Sequence, residues 1–480
     1  MKVIRNYFYN AGYQLLAMIL PLVTAPYISR TLSPSGVGIN AYTNSIIQYF
    51  VLFGSIGISI YGNRQIAYMN GNKEKISKTF WEIQAVKTLA ILVAYFGFAI
   101  YMQVGVRYPK YMMIQSLNLV GALLDISWLY MGLEDFKKTV IRNTLVKILS
   151  VILIFSLVKN RDDVGIYIFI LAFSLILGNL TLWPSLKNIL VKVKIRNLRP
   201  LPHIKPAVAL FIPQIATQLY LQLNKTMLGS MVSPDSSGFY FNTDQLVKVI
   251  LSIVTATGTV MLPHVSSAFS SGNNDKVNRY LYSSFDFVSF LAIAMTFGLA
   301  GVGMHLGPYF YGKGFGPVGM ATVIESVVIT LIGWSNAIGV QFLLPTNRVR
   351  PYTTSVMLGA ISNIILNVPL IHFGGLNGAM YSTVIAELIV TAYQVWAIKD
   401  VVNLKEMFSS VPKYLFAGVI MFIPVFKINT SVRTSMISLA IEVVVGIVIY
   451  FAMIFILRPK ILYTGKNLLK NLKNKNKSED

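Results

Sequence analysis

The sequence predicts an all-α integral membrane protein of about 14 transmembrane helices, with two six-helix lobes related by a pseudo-two-fold duplication and two additional C-terminal helices. Four observations lead to this class. Hydrophobic residues make up 55% of the 480 residues and charged residues only 12%, and the mean hydropathy is +0.62, which is more apolar surface than one soluble core can bury. The apolar residues form long runs, the cations lie mainly in alternate loops, and weak sequence matches recur at a nearly constant offset.

The apolar runs are long enough to cross ~30 Å of hydrocarbon, which takes ~20 helical residues. Continuous runs of this kind indicate helices, because the strands of a membrane barrel alternate between lipid-facing and interior residues. The first run follows Lys2 and Arg5 as a signal peptide would, but it leads directly into a second run and is interpreted as a retained helix. The expected helices are 9–29, 40–62, 82–102, 111–132, 142–159, 164–184, 207–232, 239–263, 284–306, 318–344, 353–372, 376–397, 413–428 and 436–457.

The distribution of the cations explains the net charge of +23. With a cytoplasmic N-terminus, 29 Lys and Arg residues fall in inner segments and 8 in outer ones, as the positive-inside rule requires. We therefore expect a multi-pass membrane protein with both termini cytoplasmic, in contact with anionic membrane lipids and not with nucleic acid. The eight outer cations are Arg30, Arg107, Lys110, Lys159, Arg161, Lys313, Lys427 and Arg433.

Nothing in the sequence indicates a cofactor or a metal site. Cysteine is absent, and the four histidines match no metal-binding spacing. There is no GxxxxGK[ST] phosphate loop, so the chain is not expected to hydrolyse ATP. The five tryptophans, with many of the tyrosines, are expected in the two interfacial belts of the membrane.

The two lobes are inferred from matches of the chain with itself. At an offset of 200, Ser33-Pro34 aligns with Ser233-Pro234 and Gly38 with Gly238, and at 201, Gly71-Asn72 aligns with Gly272-Asn273. Six helices separate corresponding positions, so the halves share one orientation, as in transporters built from parallel repeats. The expected divisions are an N-terminal lobe (1–185), a basic inter-lobe loop (186–206), a C-terminal lobe (207–397), two additional helices (398–457) and a basic cytoplasmic tail (458–480).

Polar residues inside the predicted helices are the candidate site. Gln214, Gln218, Gln222 and Lys225 fall on one face of the seventh helix, where they would either hydrogen-bond neighbouring helices or line a cavity. On the first helix, Asn10 and Gln14 share a face.

Several charged residues lie in or beside the predicted spans, and each has a possible structural role. Arg30 would either snorkel to headgroups or bind phosphate oxygens through its rigid guanidinium fork. Asp244 and Lys248 are spaced for an internal ion pair, and Lys87 could pair with Asp125 across neighbouring helices.

Several motifs resemble the polysaccharide-transport family of the multidrug, oligosaccharidyl-lipid and polysaccharide (MOP) exporter superfamily. They are PLVTAPYISRTLSPSGVG at 21–38, GISIYGNRQIA at 57–67, and LNKTMLGSMVSPDSSGFYF in and after the seventh helix. The resemblance covers nearly the whole chain. It implies a flippase, not an enzyme, that moves undecaprenyl-diphosphate-linked oligosaccharide repeat units from the inner to the outer leaflet for O-antigen, capsule or exopolysaccharide assembly. A polysaccharide polymerase and a chain-length regulator would be its protein partners.

The resemblance also implies a cationic cavity between two lobes that opens alternately to each side. On that basis the diphosphate is assigned to Arg30, Arg64, Lys225 and Lys248, and the sugar or the cavity wall to Asn10, Gln14, Gln214, Gln218, Gln222 and Asn224. Many members of the family have an acid where this chain has Asn224, which argues against ion coupling through the seventh helix. Coupling to an ion gradient is assigned instead to Asp244 or Asp125, and the membrane potential alone is an alternative driving force.

Two other functions stay open at the level of sequence. A cation-coupled multidrug exporter of the same superfamily would need an acidic cavity. An integral-membrane glycosyltransferase or polymerase would normally carry a sizeable outer loop with catalytic carboxylates, and the outer loops here are short.

Overall fold

The computed structural model describes residues 2–69 and 71–463, and the side chains of residues 2–19, 136–137, 212–214, 216–217, 220 and 259–260 lie outside the description. Within this part of the chain, regular secondary structure is entirely helical, which confirms the expected class. The chain forms two compact units, residues 1–238 and 239–480. The boundary falls inside one helix, and the predicted division into two six-helix lobes remains a prediction.

In the described part of the first unit there are nine α-helices and the first turn of a tenth, together with four short 3₁₀ helices between residues 161 and 203. The α-helices are α1 (Lys2–Ser55), α2 (Ile58–Tyr68), α3 (Lys73–Met102), α4 (Pro109–Gln115), α5 (Leu117–Leu124), α6 (Ser127–Gly132), α7 (Phe136–Leu157), α8 (Val164–Leu180), α9 (Ile204–Met231) and the start of α10 (Pro234–Ser270).

The second unit contains the rest of α10 and the remaining helices. These are α11 (Asn274–Tyr311), α12 (Pro317–Glu325), α13 (Val327–Ser335), a π-helix (Asn336–Leu343), α14 (Val349–Ile398), α15 (Leu404–Met407), α16 (Val411–Ser431) and α17 (Met436–Leu457).

The described residues contain 11 helical segments long and apolar enough to cross a membrane. Two of these segments, Leu20–Tyr68 and Val349–Ile398, contain a break and therefore cross twice. Helix α9 is 28 residues long, which is enough to span the hydrocarbon, although it is not one of these 11 apolar segments. The 11 segments are approximately consistent with the 14 helices expected from the sequence, and the chain is a multi-pass membrane protein.

The two breaks lie where the chain changes direction between one crossing of the membrane and the next. Ser33 has φ 62° and ψ 172° inside α1, and Gly375 has φ 51° and ψ −126° inside α14. Positive φ is easy for glycine and costly for serine. The helix after Ser33 restarts at Pro34, whose fixed φ suits the first turn of a helix, so one residue is enough to turn the chain.

Gly38 and Gly238, which the 200-residue offset aligns, contact each other within the first unit. A Cβ added to Gly38 would lie 1.9 Å from the carbonyl oxygen of Pro234, and a Cβ added to Gly238 would lie 2.9 Å from that of Pro34. Each segment therefore presents its proline carbonyl to the other segment's glycine. Such a reciprocal contact is the one that a two-fold relation between the two segments produces.

A buried aromatic cluster lies among α2, α3 and α6 in the first unit. Trp128 is fully buried, and its ring stacks on Phe80 with 5.4 Å between centroids. Gly62 packs directly on the indole, because an added Cβ would lie 2.4 Å from Trp128 Cε3. The expectation that Trp128 belongs to an interfacial belt is therefore wrong: its large apolar surface is used in the core.

The inter-lobe loop is attached to the first unit at three points. Val191 N donates to Ser77 Oγ at 2.9 Å, and Arg199 N donates to Glu82 Oε1 at 2.7 Å. His203 bridges the other oxygen of Glu82 at 3.0 Å and the Tyr61 hydroxyl at 2.7 Å. The loop therefore moves with α2 and α3 as long as these bonds persist.

The two C-terminal helices pack against the second unit. Helix α16 lies along α11 and α17. The Tyr414 hydroxyl donates to Asp286 Oδ1 at 3.0 Å, and the Tyr450 hydroxyl donates to the carbonyl oxygen of Phe290 at 2.8 Å. These contacts make α16 and α17 integral parts of that unit.

We expect Gly38→Ala to lower the thermal midpoint of unfolding of the purified protein in detergent. The new Cβ would meet a backbone oxygen, which can give way only if a helix shifts, and overpacking of this kind costs about 1–3 kcal/mol. Gly97→Ala is the matched control in another apolar helix, because its Cβ would meet only Phe50 Cε1, at 3.9 Å. Equal midpoints for the two variants would show that the close approach at Gly38 does not stabilise the unit.

Candidate functional site

Arg30 and Arg64, both assigned to the diphosphate, lie near opposite ends of the helix formed by residues 34–55 in the first unit. Arg30 is exposed three residues before the break at Ser33. Arg64 is exposed on α2, with its guanidinium carbon 5.9 Å from the ring centroid of Tyr68. The helix of residues 34–55 separates them and rises about 33 Å at 1.5 Å per residue. One diphosphate cannot contact both arginines at once, so any shared role requires successive contacts.

Lys225 lies at an intermediate depth on α9. Its neighbour Thr226 contacts the middle of the 34–55 helix, with Oγ1 2.8 Å from Ser45 Oγ and 3.1 Å from the Tyr49 hydroxyl. The Lys225 side chain is half-buried, and its carbonyl oxygen accepts a hydrogen bond from Ser237 Oγ at 2.9 Å. The first unit therefore carries cationic side chains at both ends and near the middle of one membrane-spanning helix.

The polar face of α9 is only partly open. Gln218 is exposed and Gln222 is half-buried, whereas Asn224 is buried at 1% exposure. Gln222 Oε1 is buried and lacks a hydrogen-bond partner among the described atoms. An unpartnered amide oxygen in a membrane helix is costly, and a cargo hydroxyl is one group that could satisfy it. The side chains of Asn10, Gln14 and Gln214 lie outside the described residues.

Lys248 is held by carboxylates in the second unit. Its Nζ lies 2.7 Å from Asp244 Oδ2, one helical turn away on α10, as the sequence spacing indicates, and the two side chains are 48% and 17% exposed. Glu325 and Glu387 also interact with the Lys248 charge. Glu325, at the end of α12, is buried, and its Oε2 lacks a hydrogen-bond partner among the described atoms. This part of the second unit is therefore acidic.

Asp125 supports a break in the fourth predicted helix, which consists of α4, α5 and α6. Lys87 Nζ donates to the carbonyl oxygen of Asp125 at 2.5 Å, and Asp125 Oδ1 accepts from Ser127 N at 2.9 Å. Both groups satisfy backbone atoms that the break exposes, which hydrocarbon cannot do. The expected contact between Lys87 and Asp125 thus forms through the backbone, and the geometry favours a structural role for Asp125.

Sequence reasoning missed several polar contacts between helices. The bonds of Thr226 to Ser45 and Tyr49 join α9 to α1, and Arg107 donates to the carbonyl oxygen of Gly229 at 2.9 Å. Helical periodicity shows which residues share a face of one helix. It does not show which neighbouring helix that face contacts, so these pairs carried no signal in the sequence.

Comparison with known proteins agrees with the fold and with the sequence motifs. A protein family described as "Polysaccharide biosynthesis protein" matches residues 3–269, more than half of the chain. The "Putative O-antigen transporter" of Escherichia coli K12 is 24% identical over 407 residues, which cover 82% of this chain and 96% of the relative.

Two solved structures are similar to the chain in fold. "Lipid II flippase MurJ, inward closed conformation" superposes with a TM-score of 0.76 at 16% identity, over 94% of this chain and 98% of that one. An inward-facing multidrug resistance transporter of the MATE family and the MOP superfamily superposes with a TM-score of 0.57 at 13% identity, over 80% of this chain and 98% of that one.

We expect the interaction between Asp244 and Lys248 to appear as a coupling in a double-mutant cycle of thermal stability. Lys248→Gln should destabilise the protein strongly, because it leaves the Asp244 charge beside Glu325 and Glu387. Asp244→Asn combined with Lys248→Gln should recover part of the loss, with a coupling energy of about 1 kcal/mol. Additive effects of the two substitutions would mean that the pair contributes nothing to stability.

Proposed function

The chain belongs to the polysaccharide biosynthesis protein family, and from this premise we propose that it is a flippase for lipid-linked oligosaccharides. The cargo would be an undecaprenyl-diphosphate-linked repeat unit, moved from the inner to the outer leaflet of the bacterial cytoplasmic membrane for surface polysaccharide synthesis. The name of the Escherichia coli relative refers to O-antigen transport, and the solved structure with the highest TM-score quoted above is that of a lipid II flippase. Both names point to lipid-linked saccharides.

The observation that carries the proposal is the arrangement of cations by depth in the first unit. Arg64 lies near one end of the 34–55 helix, Lys225 near its middle and Arg30 near the other end. A diphosphate that crosses the membrane would meet a cation at each stage, which lowers the cost of moving its charge through a low-dielectric region. With the N-terminus in the cytoplasm, Arg64 would receive the cargo and Arg30 would release it.

The sugar moiety would contact the polar face of α9. Gln218 is exposed, and Gln222 has a buried amide oxygen without a partner among the described atoms. Sugar hydroxyls donate and accept hydrogen bonds and can satisfy such groups. We assign Gln214 to this face from its helical register, and Asn10 and Gln14, which share a face of the first helix, to the cavity wall. The substrate is transported without covalent change.

The energy for transport would come from the membrane potential. An inside-negative potential favours outward movement of an anion by about 2.3 kcal/mol per charge per 100 mV. Coupling through Asp125 is less favoured because its carboxylate accepts a hydrogen bond from Ser127 N at the break before α6. A polysaccharide polymerase and a chain-length regulator would take the product on the outer side.

A cation-coupled drug exporter is the second candidate function, and one observation favours it. Asp244, Glu325 and Glu387 outnumber Lys248 in the second unit, and an acidic surface attracts cationic drugs. Expression of the protein in a drug-sensitive strain separates the two functions. Drug resistance without any polysaccharide phenotype would favour the exporter.

We expect Arg30→Ala, Arg64→Ala and Lys225→Ala each to abolish surface polysaccharide while the protein stays at its normal level in the membrane. Each variant removes the cation at one depth, so transport should stop at that stage. Lys110→Ala is the matched control, since Lys110 is an exposed cation outside the proposed path. Full activity of the Arg30 and Lys225 variants would exclude the cationic path.

We expect transport in proteoliposomes to depend on the imposed potential. A potential clamped with potassium and valinomycin should shift the distribution of the lipid-linked cargo by about 50-fold per transferred charge per 100 mV. The reversed potential should slow translocation in the outward direction. A distribution that follows an imposed proton or sodium gradient, and ignores the potential, would replace this driving force with ion coupling.

A further inference from the structure

A positively charged depression lies beside the break in α1, at the end of the first crossing. Its volume is about 640 Å³. Three of its lining residues are cations with exposed side chains, and none of the lining residues is acidic. The lining residues are Pro26, Tyr27, Arg30, Thr31, Lys159, Asn160 and Arg161.

The two sides of the depression are held together by Tyr27. Its hydroxyl donates to the carbonyl oxygen of Val158 at 2.6 Å, and its ring lies 4.4 Å from that of Phe155, centroid to centroid. These contacts join α1 to the end of α7. The position of Arg30 relative to the 159–161 segment is therefore determined by packing and not by loop flexibility.

The 159–161 segment is itself a defined turn. Asp163 Oδ2 accepts hydrogen bonds from Lys159 N and Asn160 N, both at 2.8 Å. Asn160 and Asp163 form a reciprocal capping box on the short 3₁₀ helix Arg161–Asp163, directly before α8. The Asp163 carboxylate is thus bound to backbone donors of the turn and does not line the depression. Lys159 Nζ donates to the carbonyl oxygen of Phe155 at 2.5 Å, which holds the ammonium close to the depression.

This combination of groups suits a phosphate. Two guanidinium groups offer forked donors that match phosphate oxygens, and an ammonium adds a point charge. Asn160 and Thr31 add neutral hydrogen-bonding groups on the same surface. No carboxylate lines the depression itself, although Asp162 and Asp163 directly follow Arg161 in the chain. The groups that a ligand would contact in the depression are therefore cationic or neutral.

We propose that this depression binds a phosphate group carried by a lipid, and that Lys159 and Arg161 act with Arg30 as the last contact of the translocated diphosphate before release. The proposal rests on the function proposed above, which places the break in α1 at Ser33 on the outer side of the membrane. It adds Lys159 and Arg161, which lie outside the family motifs, to the residues assigned to the diphosphate. It also identifies the ligand of this depression as a phosphate group. A phosphate on an ordinary anionic phospholipid has the same chemistry and is the second source to be tested.

The first experiment measures binding of inorganic pyrophosphate to the full chain in nanodiscs of phosphatidylcholine, by isothermal titration calorimetry. We expect Arg161→Gln to weaken binding about 10-fold and Lys110→Gln, the matched exposed cation outside the depression, to leave it unchanged. Binding should weaken as salt is added, because the cations are exposed. Asp162→Asn should strengthen binding by removing a neighbouring negative charge, a gain that misfolding cannot produce.

Two further arms identify the source of the phosphate. Undecaprenyl diphosphate in the nanodisc should compete with pyrophosphate at a low molar ratio, and phosphatidylglycerol at the same ratio should not. Competition by phosphatidylglycerol alone would keep the site and assign it to a bilayer headgroup. Equal pyrophosphate binding by the wild-type chain and Arg161→Gln, or no binding at all, would overturn the site.

A transport assay keeps this inference separate from the proposed function. If wild-type proteoliposomes translocate the lipid-linked oligosaccharide but pyrophosphate binding does not depend on Arg161, the site is wrong and the flippase function stands. If wild-type proteoliposomes do not translocate it while Arg161-dependent binding persists, the flippase function is wrong and the site binds a phospholipid phosphate.

Discussion

The requirement that every backbone polar group find a partner within the chain governs this structure. Hydrocarbon offers no hydrogen bonds, so the chain is helical wherever it crosses, and each irregular point needs a substitute partner. Lys87 and the Asp125 carboxylate provide this at the break between α5 and α6. Thr296 does the same between α12 and α13, where its hydroxyl donates to the carbonyl oxygen of Ser326 at 3.2 Å. Several of the interior polar residues are thus structural.

The remaining interior charges are distributed unequally between the two units. In the first unit, cations lie at several depths, and Arg30 and Arg64 are exposed. In the second unit, Lys248 is matched by Asp244 and by further acids. A path for an anion therefore has its strongest support in the first unit.

The predictions from the sequence agree best with the structure for properties that are summed over neighbouring residues of the chain, such as hydropathy. The all-helical class, the number of crossings and the repeat of the Pro-Gly segments follow from hydropathy and from spacing. The structure bears out the helical class and is approximately consistent with the number of crossings. Agreement is poorer where partners are distant in sequence. Trp128 was expected at an interface and is buried against Phe80, and Glu325 could not be placed before its neighbours in space were known.

The sequence by itself determined that this chain is a helical membrane protein whose charged residues are confined mainly to its loops, because the cost of placing each residue in hydrocarbon depends largely on that residue alone. Only the tertiary structure decided that Arg30 shares a depression with Lys159 and Arg161, and that Lys248 is neutralised by carboxylates. These contacts depend on how separate helices pack, and periodicity along one helix carries no information about the helix that it will contact.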